Sequence, residues 1–118
     1  MCNSTEIIST VKSGEITKCK QCNIYHLSFN NIYLEFSFKE FERFRTYIID
    51  IDTEYWEAKY ATSNIKRKIP IPSMQENLVL LFKREEIGEL KLLFKRLDSQ
   101  EKQYMLKMED IDYTLILN

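Results

Sequence analysis

The residues best equipped for chemistry in this chain fall within eight positions. Cys19-Lys20-Gln21-Cys22-Asn23-Ile24-Tyr25-His26 holds two thiols and the only imidazole. A C-x-x-C pair can chelate one metal through both thiolates, because a tight turn brings two sulfurs to about 3.7 Å, the edge of a tetrahedron with bonds of about 2.3 Å. Two ligands do not make a structural zinc site, and no second C-x-x-C or Cys/His pair occurs in the sequence. If residues 22–26 are extended, Cys22 and His26 lie about 13 Å apart at roughly 3.3 Å per residue, too far to share a metal. His26 is therefore expected to be a strand residue facing Glu35. Cys2 is the remaining thiol. A two-residue turn at Ser13-Gly14 would pair positions summing to 27, setting Thr5 opposite Cys22 and carrying Cys2 toward the pair. The metal candidate is accordingly zinc on Cys2, Cys19 and Cys22, with water or a partner's residue in the fourth position. A thioredoxin-type redox pair needs its first thiol at a helix N-terminus, where the dipole lowers the pKa, and these cysteines stand between strand-like segments. A turn in which two small, soft side chains pack ranks first, zinc second and redox chemistry third.

A second constellation is Lys66-Arg67-Lys68 near Tyr55, Trp56 and Tyr60. Basic residues with aromatic neighbours can hold phosphates and stack bases. Three charges in a row on a strand split between two faces, however, and acidic Asp50, Asp52, Glu54 and Glu57 lie just upstream. An edge strand kept from aggregating by lysine and proline is the commoner reason for such a run. The aromatics read as an interaction or subunit-contact surface rather than a base-stacking platform. One histidine, no glycine-flanked nucleophile and no paired carboxylates on a helix face leave no catalytic set, so the reading leans away from an enzyme.

The elements that must position these residues can be read from periodicity. Residues 7–12 and 15–20 flank Ser13-Gly14 and predict a first hairpin. Residues 24–29 and 32–36, aromatic and β-branched, predict a second around Asn30-Asn31 with a type I′ turn. Its register pairs Phe29 with Ile32, Leu27 with Leu34, Tyr25 with Phe36 and His26 with Glu35. Ser37 and Glu40 form a capping box, with Phe36 and Phe41 as a hydrophobic staple, opening a helix striped by Phe41, Phe44, Ile48 and Ile51. A short helix over 53–62, capped by Thr53, should follow. Residues 65–71 read as an edge strand or an extended loop, since Pro70 and Pro72 lack amide donors, and 77–82 as a further strand. A second main helix carries Ile87, Leu90, Phe94 and Leu97. Each of these four stands 46 residues after its counterpart in the first helix. Asn31/Asn77, Leu34/Leu80, Phe36/Phe82, Glu40/Glu86 and Asp52/Asp98 keep the same offset. The match reads as two repeat units, about 19–64 and 65–110, with shared strand and helix periods as the plainer explanation. A helix over 99–110 and a strand over 111–117 complete the expectation.

The chain has 118 residues, 17 basic and 18 acidic, with 44% hydrophobic side chains. That is ample for one globular domain over 1–118, and the balance of charge offers no global field for nucleic acid or an anionic membrane. No membrane span and no signal peptide are evident, so the cytoplasm is the expected location, where the three cysteines would be reduced. Taken together, CKQCNIYHLSFNN, EYWEAKY and KRKIPIPSMQENLVLLF resemble an uncharacterised family of small bacterial proteins, a domain-of-unknown-function family. The resemblance implies a bacterial cytoplasmic protein and transfers no activity. The reading is a single α+β domain: an antiparallel sheet of four or more strands built from hairpins, with two main helices on one face. Its expected role is a non-enzymatic interaction or regulatory module with a protein partner or a second copy. A zinc- or thiol-dependent protein is the alternative, and weak nucleic-acid binding the third reading. No small-molecule ligand can be named.

Overall fold

A computed structural model describes residues 5–97. Four strands pair in sequential antiparallel order: β1 (Thr5–Val11), β2 (Gly14–Cys19), β3 (Tyr25–Phe29) and β4 (Ile32–Phe36). Helices α1 (Phe38–Asp50) and α2 (Thr53–Lys59) follow, then a separate hairpin of β5 (Ile69–Pro72) and β6 (Val79–Phe82), and a third helix, α3, over 84–97. The expected α+β architecture is therefore present. Cys2, the helix over 99–110 and the strand over 111–117 lie outside the described residues.

The second hairpin has the expected register at every pair, including His26 opposite Glu35. Only Asn30 of its turn takes a left-handed φ, 52°, so the turn is not the type I′ that needs two such residues. The first hairpin departs from expectation. Val11 pairs with Gly14, so Lys12-Ser13 form the turn, and a bulge between Ile7 and Ser9 brings Thr5 opposite Cys19 rather than Cys22. The Ser13 hydroxyl donates to Glu89 Oε2 at 2.7 Å, and Asn30 N–H donates to the Ser13 carbonyl at 2.8 Å. Those contacts select the residue that turns.

One face of the sheet faces the helices. Tyr25 stacks on Phe41 of α1 with ring centroids 4.2 Å apart, and the Ser9 hydroxyl donates to the Leu93 carbonyl of α3 at 2.6 Å. Ile16, Leu27 and Phe29 are buried there with Ile48, Ile87, Leu90, Phe94 and Leu97. The β5–β6 hairpin adds Ile69, Ile71 and Phe82 to the same core, and Phe82 meets Phe29 edge-on at 6.1 Å. Entry to α1 follows the sequence signal: the Ser37 side chain accepts from Glu40 N–H at 3.3 Å, and Glu40 Oε1 accepts from Ser37 N–H at 2.8 Å. Replacing Ser37 by alanine strands one of these donors. It should cost about 1 kcal/mol, read from the urea midpoint. The short helix differs in its cap: Asp52, not Thr53, accepts from Tyr55 N–H at 3.2 Å.

The 46-residue offset appears in element ends as well. β4 and β6 close at Phe36 and Phe82, and α1 and α3 open at residues 38 and 84. At each of the two places a hairpin is followed by a helix. Where Ser37 has no serine counterpart, Lys83 N–H still donates to Glu86 Oε1 at 2.7 Å, keeping half of the capping box. Glu86 also takes Arg67 Nε at 3.1 Å and Nη2 at 3.3 Å. Burial alone would push the Glu86 carboxyl up, but the Lys83 amide and the Arg67 guanidinium outweigh it and hold the pKa below its ordinary value. The folded pKa is thus below the unfolded one. The associated stability is present above the unfolded carboxylate range and is lost as pH falls through the folded value. Glu86→Gln should therefore be less stable than the parent at pH 7. The gap should close below about pH 4, as urea midpoints across pH would show.

Candidate functional site: the cysteine turn and the α1–α2 groove

The link from β2 to β3 is a turn wrapped around the Cys19 side chain. Asn23 N–H donates to the Cys19 carbonyl at 3.2 Å, Asn23 holds a left-handed φ of 54°, and Cys22 N–H donates to Cys19 Sγ at 3.3 Å. Cys19 N–H then donates to the Ile24 carbonyl at 2.9 Å, so the β2–β3 ladder continues to that pair. Cys19 is fully buried and Cys22 is exposed. Both are disulfide-bonded, where the sequence led us to expect reduced thiols. Among the described residues, no three His, Cys, Asp or Glu side chains converge as metal ligands, and Cys2 lies outside them.

His26 occupies the expected strand position. Residues 22 and 23 are in the turn and off the extended path, and the two cysteines and His26 do not converge as metal ligands. Thr17 pairs with His26, and Cys19 alternates with Thr17 along β2. Cys19 and His26 therefore project from the same face of the sheet, opposite to Leu27. His26 is 6% exposed. Its Nδ1 lies 2.6 Å from the Tyr33 hydroxyl, which donates to Glu35 Oε1 at 3.0 Å. Burial first, then the bond to Glu35 and its charge, raise the Tyr33 pKa. The Tyr33 hydroxyl that donates to Glu35 has an oxygen lone pair free to accept from His26 Nδ1–H in the tautomer that carries its proton there. His26 Nε2 is buried without a hydrogen-bond partner.

The aromatic surface lies on α2, at the far end of α1. Tyr55 is 53% exposed, whereas Trp56 and Tyr60 are half-buried and stack with centroids 6.3 Å apart. Lys59 Nζ stands 5.1 Å from the Trp56 ring centre and within cation–π range of Tyr55 and Tyr60. Trp56 also lines an open groove of about 430 Å³ with Arg43, Thr46, Tyr47, Asp50, Ile51 and Asp52. The sequence reading missed Tyr47 and Arg43. Their signal was available, since Arg43, Tyr47 and Asp50 stand four and three residues apart on one helix face beside the core stripe.

The basic segment does not act as a unit. Arg67 pairs with Glu86 at 3.1 Å and Lys68 with Glu57 at 3.7 Å, leaving Lys66 exposed and outside any ion pair among the described residues. No helix among the described residues is long and apolar enough to cross a membrane. A family model described as a family of unknown function, DUF6686, matches residues 1–118. No curated protein and no solved structure matches the chain significantly.

Proposed function

Because the chain belongs to that family of unknown function, which lends it no activity, we propose from geometry alone that it is a non-enzymatic interaction module. Its binding site is the α1–α2 groove. The observation that carries this is the open groove whose apolar floor, Tyr47, Ile51 and Trp56, is rimmed by Arg43, Asp50 and Asp52. A half-buried tryptophan beside an exposed tyrosine, within a polar rim, is what a short protein segment engages. Exposed Tyr55 extends the surface beyond the groove, and a second copy of the chain is the other partner it could serve. Trp56 is the sole tryptophan, so its emission reports occupancy directly. Selecting 12-residue peptides on the whole protein tests the reading. Enriched peptides should shift Trp56 emission and bind Tyr47→Ser at least ten-fold more weakly, and enrichment indifferent to Tyr47 would remove the proposal. Sedimentation across protein concentration separates the second-copy form.

A second reading, a thiol-dependent zinc protein that forms once the cysteines are reduced, draws on the tight turn that holds Cys22 N–H 3.3 Å from Cys19 Sγ. Thr5 stands opposite Cys19, and Cys2 is three residues from Thr5 along the chain. Zinc titration of the reduced protein tests it: one equivalent should bind, and Cys19→Ser/Cys22→Ser should bind none. Nucleic-acid binding gains nothing comparable, because two of its three cations are already held by carboxylates.

A further inference from the structure

We propose that the outer edge of β6 docks a second copy of this chain, the two β6 strands pairing antiparallel about a two-fold axis at Leu80. The edge follows from the hydrogen bonds of the β5–β6 hairpin. Ser73 N–H donates to the Leu78 carbonyl at 3.3 Å, and the register runs on from that pair through Ile71–Leu80 to Ile69–Phe82. Antiparallel partners alternate between pairs that exchange hydrogen bonds and pairs that do not. Pro72–Val79 and Pro70–Leu81 are therefore the pairs that do not, and the backbone groups of these four residues point away from the hairpin. On the β5 side the prolines have no N–H to donate, and the Pro70 carbonyl already accepts from the Tyr47 hydroxyl of α1 at 3.3 Å. On the β6 side Val79 and Leu81 each present an N–H and a carbonyl, and none of the four has a partner among the described residues.

Proteins normally blunt such an edge with proline, lysine or a bulge. β5 follows that rule and β6 breaks it. Its edge residues Val79 and Leu81 carry apolar side chains 50% and 48% exposed, and Leu78 beside them is exposed as well. A strand laid along β6 supplies the missing donors and acceptors and sets its own side chains beside Val79 and Leu81, the mode by which extended segments add to a sheet. The edge lies across the hairpin from α1, so it is a surface separate from the α1–α2 groove.

Charge selects the second copy and its direction. Exposed Glu76 precedes β6, and Lys83 and Arg84 follow it. Glu76 stands outside any ion pair among the described residues, and Arg84 has only an exposed contact with Glu54 at 3.8 Å. Antiparallel pairing centred on Leu80 sets Val79 opposite Leu81 of the second copy, so both N–H and both carbonyl groups on each chain are satisfied. The same register carries the acidic end of each strand to the basic end of the other, whereas parallel pairing would bring like charges together. The proline-blocked edge of β5 accepts no further strand, so the pairing closes at two copies instead of growing into a fibre. A contact built on four-residue strands belongs among the small interfaces, below about 1,200 Å², so the dimer is weak and concentration-dependent.

Sedimentation equilibrium and amide hydrogen exchange of the full chain, from micromolar to millimolar protein, test the proposal. The parent should pass from monomer to dimer over that range. As it does, the Val79 and Leu81 amides should exchange about ten-fold more slowly, while those of Leu80 and Phe82, already bonded to β5, change less. Val79→Lys places a gatekeeping charge on the edge and should weaken the dimer about ten-fold. Adding Leu81→Glu to Val79→Lys sets opposite charges across each pair and should restore it. A chain that stays monomeric throughout, or that associates beyond a dimer, overturns the proposal and leaves the groove reading standing. A dimer that leaves the Val79 and Leu81 amides as fast as in the monomer, or that Tyr47→Ser dissolves and Val79→Lys does not, lies on another surface and overturns it too. Loss in Val79→Lys without recovery in the double variant overturns the antiparallel register. Circular dichroism checks that each variant folds, and if Val79→Lys does not, Leu81→Lys with Val79→Glu for the recovery decides by the same readouts.

Discussion

Phe94→Ala should cost about 3–5 kcal/mol, the range for deleting a fully buried ring. Phe94 has no exposed surface and joins the two main helices, with its ring 5.6 Å from Phe41 and 6.0 Å from Phe44. Phe41 in turn stacks on Tyr25, and Phe44 lies 4.9 Å from Phe36, so the ring is the hinge between α3, α1 and the sheet. Rings from three elements cannot all close on one hole without moving backbone, which places the cost toward the upper part of the range. A domain of this size is held by about 5–15 kcal/mol in total. The variant should therefore unfold at much lower urea, followed by Trp56 emission. Phe94→Leu keeps most of the volume and should lose about 1.5 kcal/mol or less. A Phe94→Ala midpoint close to the parent's would mean that α3 is not packed through this ring.

The packing just described was legible in the sequence because two periods agree with it. Three-four spacing put Phe41, Phe44, Ile48 and Ile51 on one stripe and Ile87, Leu90, Phe94 and Leu97 on another, and alternation set the β3–β4 register. What escaped was anything fixed by contacts remote in sequence. Nothing local tells Asp52 from Thr53 as the α2 cap, and nothing near Arg67 announces its carboxylate at Glu86, nineteen positions away. The basic segment looked like a patch because each charge was read without its partner. The turn after β2 shows the same limit: reading 22–26 as one extended run missed the left-handed Asn23 and the hydrogen bond from Cys19 N–H to the Ile24 carbonyl that close it. The groove depends on how α2 lies against the end of α1, and no residue pattern within either helix sets that angle.

The first turn is the sharpest case, and it carries the second large effect. Gly14 reads naturally as the turn residue, a glycine placed for positive φ, yet it has no positive φ and already belongs to β2. Its reason for being glycine is crowding. A Cβ at position 14 would stand 2.2 Å from the Ser28 carbonyl oxygen and 3.0 Å from the Phe29 Cα. Both are backbone atoms of β3, the strand that β4 holds from the other side, so they cannot swing aside as a side-chain tip would. Gly14→Ala should lose about 3 kcal/mol, at the high end of overpacking, by prising β2 from β3 where the Asn30–Ser13 bond closes the sheet. The chain's other glycine is the control. Gly88 lies exposed in α3 with open space where a Cβ would go, so Gly88→Ala should gain about 0.5–1 kcal/mol through helix propensity and a less flexible unfolded chain. Opposite shifts of the urea midpoint for the same chemical change would confirm strand crowding. If Gly14→Ala instead moved the midpoint by less than about 0.5 kcal/mol, β3 does not press on β2 at this point, and the Gly14–Phe29 register would have to be given up.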